Sequence, residues 1–349
     1  MKALDYFLTY VFCAFLVINT TAVVADLDLA NSENNLRYVV KKHDTIWAIC
    51  KTYVDDPLCW KKLVKYNDLA NPKYLPPDSI ISIPQQWLKT QPTTALVIAV
   101  EGEVSRTRNG EDKRYLLNVG DILNQQDTVQ AVNGSAMIKF ADQSRLLLKA
   151  NSSIRMKTLQ YNDITQLVST RVELLKGRVK ASVEKVTNDV SRYEIETPAA
   201  VAAVRGTEFR VASDLDENGQ SLMRTELLTG ALLVFSDNNA QALSAGEAVM
   251  ALEGKGVAEP VKLLPRPEMI VTGARSFQLP YRVRWKPINK AQSYKITLLQ
   301  AGNQLREEST QDTYFDVKNM ASGNFELLIR GVDQQGFEGR NRLLKINLP

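Results

Sequence analysis

Within residues 36–85, the hydrophobic pattern changes from strand-like alternation to helical spacing and back again. In the second of two predicted helices, Trp60, Leu63 and Val64 recur at helical spacing and form one apolar stripe. Asp44 precedes the first predicted helix and suits its N-cap, because a carboxylate accepts hydrogen bonds from the free N–H groups of the first turn. The segment, which we call the head, therefore has the predicted order β-α-α-β.

Residues 95–252, the central domain, show short apolar segments separated by turn signals. Ala136, Ile138 and Phe140 fall on one face of a predicted strand, and Lys139 marks the other face. This pattern predicts an all-β domain. Weak repeats of a strand followed by a Gly-containing turn fit a β-sandwich and a rolled β-solenoid equally well, so both remain open at this stage.

The last part of the chain returns to alternating strands after a break rich in Gly and Pro. Residues 253–268 are predicted to be a linker, and residues 269–349, the C-terminal domain, to be a small β-sandwich. Trp285 ends one of its predicted strands and is expected in its core. The whole chain is therefore predicted to be mainly β and multi-domain.

Residues 1–25 have the features of a secretory signal peptide. Lys2 supplies the positive start, an apolar run follows, and small residues precede a cleavage point at Asp26. The apolar run is too short for a comfortable membrane span, and no later segment is apolar enough to cross a bilayer. We therefore expect an exported protein with no membrane span after cleavage; its location in the periplasm of a bacterial envelope is what the family resemblances given below imply.

Export leaves two cysteines, Cys50 and Cys59. In an oxidising compartment the default for such a pair is a disulfide, which here would join the two predicted helices of the head. Closing so short a loop stabilises the folded state by about 2–3 kcal/mol in the chain-entropy model.

Composition excludes several classes of function. The chain has 43 basic and 39 acidic residues, giving a net charge of +4 that is too small and dispersed to indicate nucleic-acid binding. A single histidine, His43, cannot complete a zinc site with two cysteines, and no Gly-x-Ser-x-Gly motif accompanies it. We therefore expect no catalytic residues, no metal and no cofactor.

Some charged residues still invite a functional interpretation. Asp121, Asp127 and Asp142 stand at predicted turns, where Asp is favoured for local backbone hydrogen bonds. Arg205 and Glu208 flank a tight turn, and there an Arg more often pairs within the fold. We expect structural roles for all five.

The head resembles a LysM module, which binds N-acetylglucosamine-containing glycans such as peptidoglycan. The resemblance rests on residues 38–41, 44–47 and 80–84, with Trp60 and Asn67 between them. It implies a glycan groove between the loop after the first strand and the loop before the second. The implied glycan-binding residues are Asp44, Thr45, Ile46, Asn71, Pro72, Tyr74 and Leu75.

Two departures from the LysM pattern border this groove. His43 stands where the family usually has Gly, in a position where a left-handed backbone tolerates His better than a β-branched residue. Pro77 and Asp78 replace the usual Pro-Gly turn. Trp47 and Trp60 are expected to pack in the core of the head.

The central domain resembles the FecR domain through the block Thr197–Phe209, with Gly120-Asp121 and residues 140–142 in the family's order. In its namesake this domain relays a signal from an outer-membrane receptor to a sigma factor. Such a regulator needs a cytoplasmic segment before its membrane helix, and only about five residues precede the apolar run here. The C-terminal domain resembles a fibronectin type III-like sandwich through Trp285, Tyr294 and Gly323-x-Phe325.

These features predict a non-catalytic envelope protein whose head binds peptidoglycan while its β domains engage an unidentified envelope protein. The alternative is a soluble periplasmic sensor in FecR-like signal transduction. A carboxylate-only wall hydrolase is a third hypothesis, although the sequence contains no recognisable catalytic domain.

Overall fold

The computed structural model describes residues 35–348 except 164, 185–191, 205, 271–279, 302 and 319–321. The predicted signal peptide and Arg205 lie outside the described residues. In the described part the protein is mainly β, as predicted, and the two α-helices occur in the head. None of the helices described there is long and apolar enough to cross a membrane.

The head has the predicted β-α-α-β order. Its elements are β1 (Asn35–Val39), α1 (Ile46–Tyr53), α2 (Cys59–Tyr66) and β2 (Ile80–Pro84), followed by a 3-10 turn at Gln85–Trp87. The strands pair antiparallel, with Tyr38 opposite Ile81. Ile49 of α1, Leu63 of α2 and Ile83 of β2 share one buried core, which holds the helices against the two-stranded sheet.

The central domain consists of short strands, as the alternation predicted. Its strands up to the long β12 are β3 (Gln91–Pro92), β4 (Ala95–Glu101), β5 (Val104–Thr107), β6 (Arg114–Leu116), β7 (Ile122–Leu123), β8 (Thr128–Ala131), β9 (Ser135–Lys139), β10 (Arg145–Leu148), β11 (Ser152–Asn162) and β12 (Leu167–Ser182). The strands that follow are β13 (Arg192–Glu196), β14 (Val201–Val204), β15 (Glu208–Leu215), β16 (Ser221–Thr229), β17 (Ala231–Phe235), β18 (Ala240–Ser244), β19 (Glu247–Leu252), β20 (Gly256–Val257) and β21 (Val261–Lys262).

These strands form two sheets that share β12, and the ladder of pairings closes on itself. The first half of β12 pairs with β11 and β13, and its second half pairs with β10 and β15. Residues from both sheets meet in one core, which includes Ile138, Leu146, Val172 and Phe209. The pairings are antiparallel apart from β12–β13, whereas stacked solenoid coils would pair in parallel. The arrangement is that of two sheets around a common core.

The segment 253–268, predicted as a linker, contributes β20 and β21 to the edge of the central domain. Both strands pair with β19, and Leu263 and Leu264 beyond them are buried. The chain therefore continues to pack on the central domain before it enters the C-terminal domain.

The C-terminal domain has two small sheets around a core that contains the fully buried Trp285, as predicted. Its strands are β22 (Tyr281–Arg284), β23 (Ala291–Gln300), β24 (Asn303–Thr310), β25 (Tyr314–Val317), β26 (Gly323–Asp333) and β27 (Arg342–Leu348). One sheet pairs β22 with β25, and the other has the order β24-β23-β26-β27.

Candidate functional site

The turn between β1 and α1 is held by Asp44. Its carboxylate accepts a 2.6 Å hydrogen bond from the Tyr38 hydroxyl and a 2.7 Å bond from the Lys41 backbone N–H. The bond from Tyr38, and then that from Lys41, lowers the pKa of Asp44, while the same carboxylate raises the pKa of Tyr38 to about 12. The N-cap prediction for Asp44 is wrong, because Thr45 caps the helix by accepting a 3.2 Å bond from the Ala48 N–H.

The two departures from the LysM pattern keep the backbone that glycine would provide. His43 has a φ of 73°, in the left-handed region, as expected from its place in the pattern. Asp78 has a φ of 66°, and its N–H donates a 2.8 Å bond to the carbonyl of Val40. Both loops therefore follow a glycine-like path while carrying side chains.

Asn67, at the end of α2, holds the second helix against β2. Its amide donates to the carbonyl of Ser82 at 2.9 Å, and its side-chain oxygen accepts from the Ser82 N–H at 2.7 Å. The amide also donates to the carbonyl of Leu63 at 3.0 Å. This clamp fixes the start of the loop that carries the second half of the predicted groove.

The loop from Asn71 to Leu75 is ordered by local hydrogen bonds. The side-chain oxygen of Asn71 accepts from the Lys73 N–H at 3.0 Å, and its carbonyl accepts from the Tyr74 N–H at 3.2 Å. The turn leaves the Tyr74 side chain 64% exposed and directs Leu75 into the core of the head. The exposed ring of Tyr74 is thus followed directly by the buried side chain of Leu75.

The seven predicted glycan-binding residues fall into two groups. Ile46 and Leu75 are 2% and 6% exposed and belong to the same core, so their side chains pack inside the head. Thr45, Asn71 and Tyr74 are exposed, whereas Asp44 and Pro72 are half-buried. The exposed members offer a hydroxyl, an amide and an aromatic face, which suit a polar ligand with apolar ring faces.

The predicted disulfide is present. Cys50 of α1 and Cys59 of α2 are bonded, with 5.8 Å between their Cα atoms. Both residues are buried in the core of the head, so the bond links the two helices from inside.

Trp47 does not pack in the core, so that prediction is wrong for this residue. It is 61% exposed and stacks on the half-buried Trp60, with 6.1 Å between ring centroids and 24° between planes. Ile46, Ile49 and Cys50 form the buried stripe of α1. Because neighbouring helical positions differ by about 100°, the position after Ile46 points away from that stripe. The helical spacing in the sequence could therefore have predicted that Trp47 lies outside the core.

The Trp pair forms one side of an open cleft of about 420 Å³ on the helical face of the head. Lys51, Asp55 and the disulfide residues are among the other residues that line it. The head therefore carries an exposed aromatic surface in addition to the predicted groove.

The head is packed directly on the central domain. Leu167 of β12 is buried in the core of the head, although it follows the head by more than 80 residues. The Lys89 N–H donates to the carbonyl of Tyr53 at 2.8 Å, and the amide of Asn162 in turn donates to the carbonyl of Lys89. The head is thus attached through its core as well as through the chain.

The block Thr197–Phe209 serves the fold of the central domain. Its Thr197 hydroxyl donates to the carbonyl of Ala200 at 3.1 Å, in a buried turn that leads into β14. Glu208 pairs with Lys180 at 2.6 Å, and Phe209 is completely buried. The described residues of the block thus pack or pair within the fold.

The three carboxylates singled out in the sequence act as turn acceptors. Asp121 accepts from the Asn118 N–H at 2.9 Å, Asp127 from the Asn124 N–H at 2.9 Å, and Asp142 from the Ser144 N–H at 3.0 Å. Within the described part of the chain, no three His, Cys, Asp or Glu residues are grouped so that they could hold a metal ion.

A buried charge cluster joins the central and C-terminal domains. It contains five cations and three carboxylates: Lys149, Arg178, Arg210, Lys295 and Arg330, with Glu226, Glu307 and Glu338. Burial opposes ionisation of Glu338, but Arg330 and Arg210 hold its pKa well below the ordinary value. Burial, followed by repulsion from Arg330, lowers the pKa of Lys149 to about 8. The pKa of Glu338 is thus lowered by the surrounding cations, whereas the pKa of Lys149 is lowered mainly by burial.

Two family models match the chain. Residues 38–84 match the LysM domain, and residues 127–233 match FecR protein. These matches confirm the LysM and FecR resemblances, and both are families of binding or regulatory domains. The fibronectin type III-like resemblance of the C-terminal domain stays a prediction.

Solved structures show weaker likenesses. One titled as a "putative anti-sigma factor" from Parabacteroides distasonis ATCC 8503 is 18% identical, covers 39% of this chain and 59% of that chain, and has a TM-score of 0.32. The extracellular domain of a "putative hybrid two component system" from B. thetaiotaomicron is 9% identical over 78% of this chain and 61% of that chain, with a TM-score of 0.20. The chain thus spans about three fifths of each structure's own length. No curated protein shows significant similarity to the chain.

Proposed function

We propose that this protein is a non-catalytic peptidoglycan-binding component of the bacterial envelope, acting in the periplasm. The observation that carries the proposal is the LysM match over residues 38–84. Thr45, Asn71 and Tyr74 bind the N-acetylglucosamine-containing glycan from the rim of the groove, above Ile46 and Leu75. The central and C-terminal domains dock an envelope protein against this wall-bound head.

The attachment of the head supports a scaffolding role. Because Leu167 is part of the core of the head, a wall-bound head holds the central domain in a fixed orientation. A single LysM domain binds a short glycan weakly. A second attachment through a partner protein therefore increases retention of the protein at the wall by avidity.

The test is co-sedimentation of the full-length protein with purified peptidoglycan sacculi. Removing the head would expose Leu167, so point variants at exposed residues are preferable to truncation. Tyr74→Ala removes the exposed ring of the groove, Trp47→Ala removes the exposed ring of the helical face, and Leu215→Ala changes an exposed residue of the central domain.

The expected result is pelleting of the parent protein and of Leu215→Ala, with at least a tenfold weaker association for Tyr74→Ala. If Trp47→Ala alone failed to pellet, peptidoglycan binding would still be assigned to the head, but to its helical face rather than to the predicted groove. Absence of pelleting for the parent protein would contradict the proposal.

A second function, a periplasmic sensor that passes a signal to a membrane protein, is favoured by the FecR match over residues 127–233. Cross-linking of the protein in intact cells distinguishes the two. A sensor is captured with a signalling membrane protein whether or not Tyr74 is intact, whereas a wall-bound scaffold is retained with peptidoglycan.

A further inference from the structure

A cleft of about 630 Å³ lies between the central and C-terminal domains. Ala99, Met137 and Leu147 form its floor, on neighbouring strands β4, β9 and β10. Leu299 and Ala301, at the turn from β23 to β24, line it from the C-terminal domain. Pockets of this volume at domain boundaries commonly bind small molecules or short peptides.

The floor of the cleft is apolar although it lies on the outward face of the sheet. Met137 and Leu147 are directly paired and half-buried, and they alternate with Ile138 and Leu146, which fill the core. Outward positions of such strands are ordinarily polar. An apolar row at this position, facing an open cleft, is suited to covering by an apolar part of a ligand.

The two ends of the cleft carry opposite charges. Glu101 lines the cleft in register with Ser135, and Arg145 lines it in register with Lys139. Ser135 and Lys139 are four residues apart on β9, so the charged ends are about 13 Å apart along the strand direction.

Neither charged group is neutralised by the protein. Among the residues that the structure describes, the side chains of Glu101 and Arg145 have no hydrogen bond or ion pair, unlike the neighbouring cation Lys149. Partial burial raises the pKa of Glu101. Lys149, the cation nearest in register to Glu101, is bonded to Glu307 at 2.5 Å.

We propose that this cleft binds a short extended peptide of three or four residues, with its amino group at Glu101, its carboxylate at Arg145 and apolar side chains on the Met137–Leu147 floor. An extended chain spans about 3.3–3.6 Å per residue, so three or four residues match the distance between the charged ends. The site is separate from the LysM groove and does not depend on glycan binding.

The charges at the ends distinguish a peptide from other linear ligands. A fatty acid satisfies Arg145 but leaves the half-buried Glu101 carboxylate without a cationic partner. An aliphatic amine satisfies Glu101 but leaves Arg145 unpaired. A peptide with free termini neutralises both ends and covers the apolar floor between them.

The experiment is isothermal titration of the full-length protein with the tetrapeptide Ala-Leu-Leu-Ala. The same peptide with an acetylated amino end tests the contact of its amino group with Glu101. The peptide with an amidated carboxyl end tests the contact of its carboxylate with Arg145. We expect saturable binding of the free peptide and about tenfold or greater weakening on blocking either end, as for loss of a charge-assisted hydrogen bond.

Two variants assign the ends. In Glu101→Gln, acetylation of the peptide should cause no further weakening, while amidation still does so; in Arg145→Gln the pattern should be reversed. Glu103→Gln, at an exposed position just outside the cleft, is the matched control and should bind like the parent protein. Thermal melting of each variant verifies that folding is intact.

The proposal is overturned by any of three results. The first is absence of saturable peptide binding to the folded parent protein. The second is binding that is equally sensitive to blocked termini in both variants and in the parent. The third is binding of decanoate or decylamine as tight as that of the peptide, which would identify the cleft as a general apolar site.

Discussion

Arg210 of the central domain reaches into the C-terminal domain, where its guanidinium lies 3.4 Å from the carboxylate of Glu338. It also donates a 2.9 Å hydrogen bond to the carbonyl of Gly339. Glu338 is 1% exposed and receives Arg178 at 2.7 Å as well as Arg330 from its own domain. Glu338 therefore binds cations of both domains at once, and loss of its charge should weaken the contact between them.

Glu338→Gln should strongly destabilise the association of the two domains. The amide keeps the shape of the side chain but removes the negative charge, leaving Arg178, Arg210 and Arg330 close together without it. Breaking a buried pair by removing one partner costs about 3–5 kcal/mol. Urea denaturation of the full-length protein measures this change.

The matched control is Glu308→Gln, since Glu308 forms an exposed pair with Arg306 at 2.7 Å. Exposed pairs contribute about 0–1 kcal/mol, so this variant should unfold close to the parent. Equal midpoints for the two variants would show that the charge of Glu338 does not hold the domains together.

Acid should weaken the same boundary through Glu307. Burial opposes its ionisation, but Lys149 and Arg330 lower the pKa of Glu307 to about 2 from its ordinary value of 4.5. Because the folded-state pKa is depressed, Glu307 stabilises the fold above pH 4.5, and this contribution is lost as the pH falls from 4.5 towards 2. This shift in pKa corresponds to a contribution on the order of 3 kcal/mol to the free energy of unfolding at neutral pH.

Comparing the parent with Glu307→Gln isolates this effect from other acid-sensitive groups. The difference in free energy of unfolding should be largest at pH 7 and should shrink as the pH falls below the ordinary carboxylate range. A difference that stays constant between pH 7 and pH 2 would mean that Glu307 is not held ionised by its neighbours.

Removal of the disulfide should destabilise the head in particular. The bond joins Cys50 to Cys59 across nine positions, and closing such a loop contributes about 2–3 kcal/mol in the chain-entropy model. In the variant Cys50→Ala/Cys59→Ala, amide hydrogen exchange should accelerate in α1 and α2 and stay nearly unchanged in β15 and β16. Dithiothreitol should accelerate amide exchange in the head of the parent protein and leave exchange in the double variant unchanged. Equal exchange rates in the heads of the parent and the double variant would refute the prediction.

Local sequence rules predicted much of the fold because they concern nearby residues. The alternation of apolar and polar residues predicted that Ala136 and Ile138 face the core. The presence of two cysteines in a chain expected to be exported predicted the disulfide between them. Backbone demands at a glycine position predicted the left-handed His43. In each case the deciding interaction lies within a strand, a turn or a short loop.

Contacts between distant residues could not be predicted in this way. Nothing in the local pattern around Glu338 indicates that Arg178 and Arg210, more than 120 residues earlier, neutralise it. The candidate groove was predicted by resemblance, which identified the loops but not which side chains are exposed. Only the structure separates the buried Ile46 from the exposed Tyr74.

Leu167→Ala should destabilise the head from a position in the central domain. Leu167 is 1% exposed and packs in the core formed by the two helices and two strands of the head. Truncating a buried Leu removes apolar contact and leaves a cavity, at a cost of about 2–5 kcal/mol. Because the cavity opens towards the head, faster amide exchange should appear in α1, α2 and β2 as well as in β12.

The control is Leu215→Ala, which shortens a side chain of the same type in the central domain that is 71% exposed. Its effect on unfolding should stay within about 0.5 kcal/mol, as for an ordinary surface substitution. If Leu167→Ala changed exchange in the central domain alone, the head would be stable independently of its support. If it loosens the head as expected, Leu167 helps to fix the orientation of the proposed glycan groove relative to the central domain. The same variant should then pellet less with sacculi, although it leaves Thr45, Asn71 and Tyr74 intact.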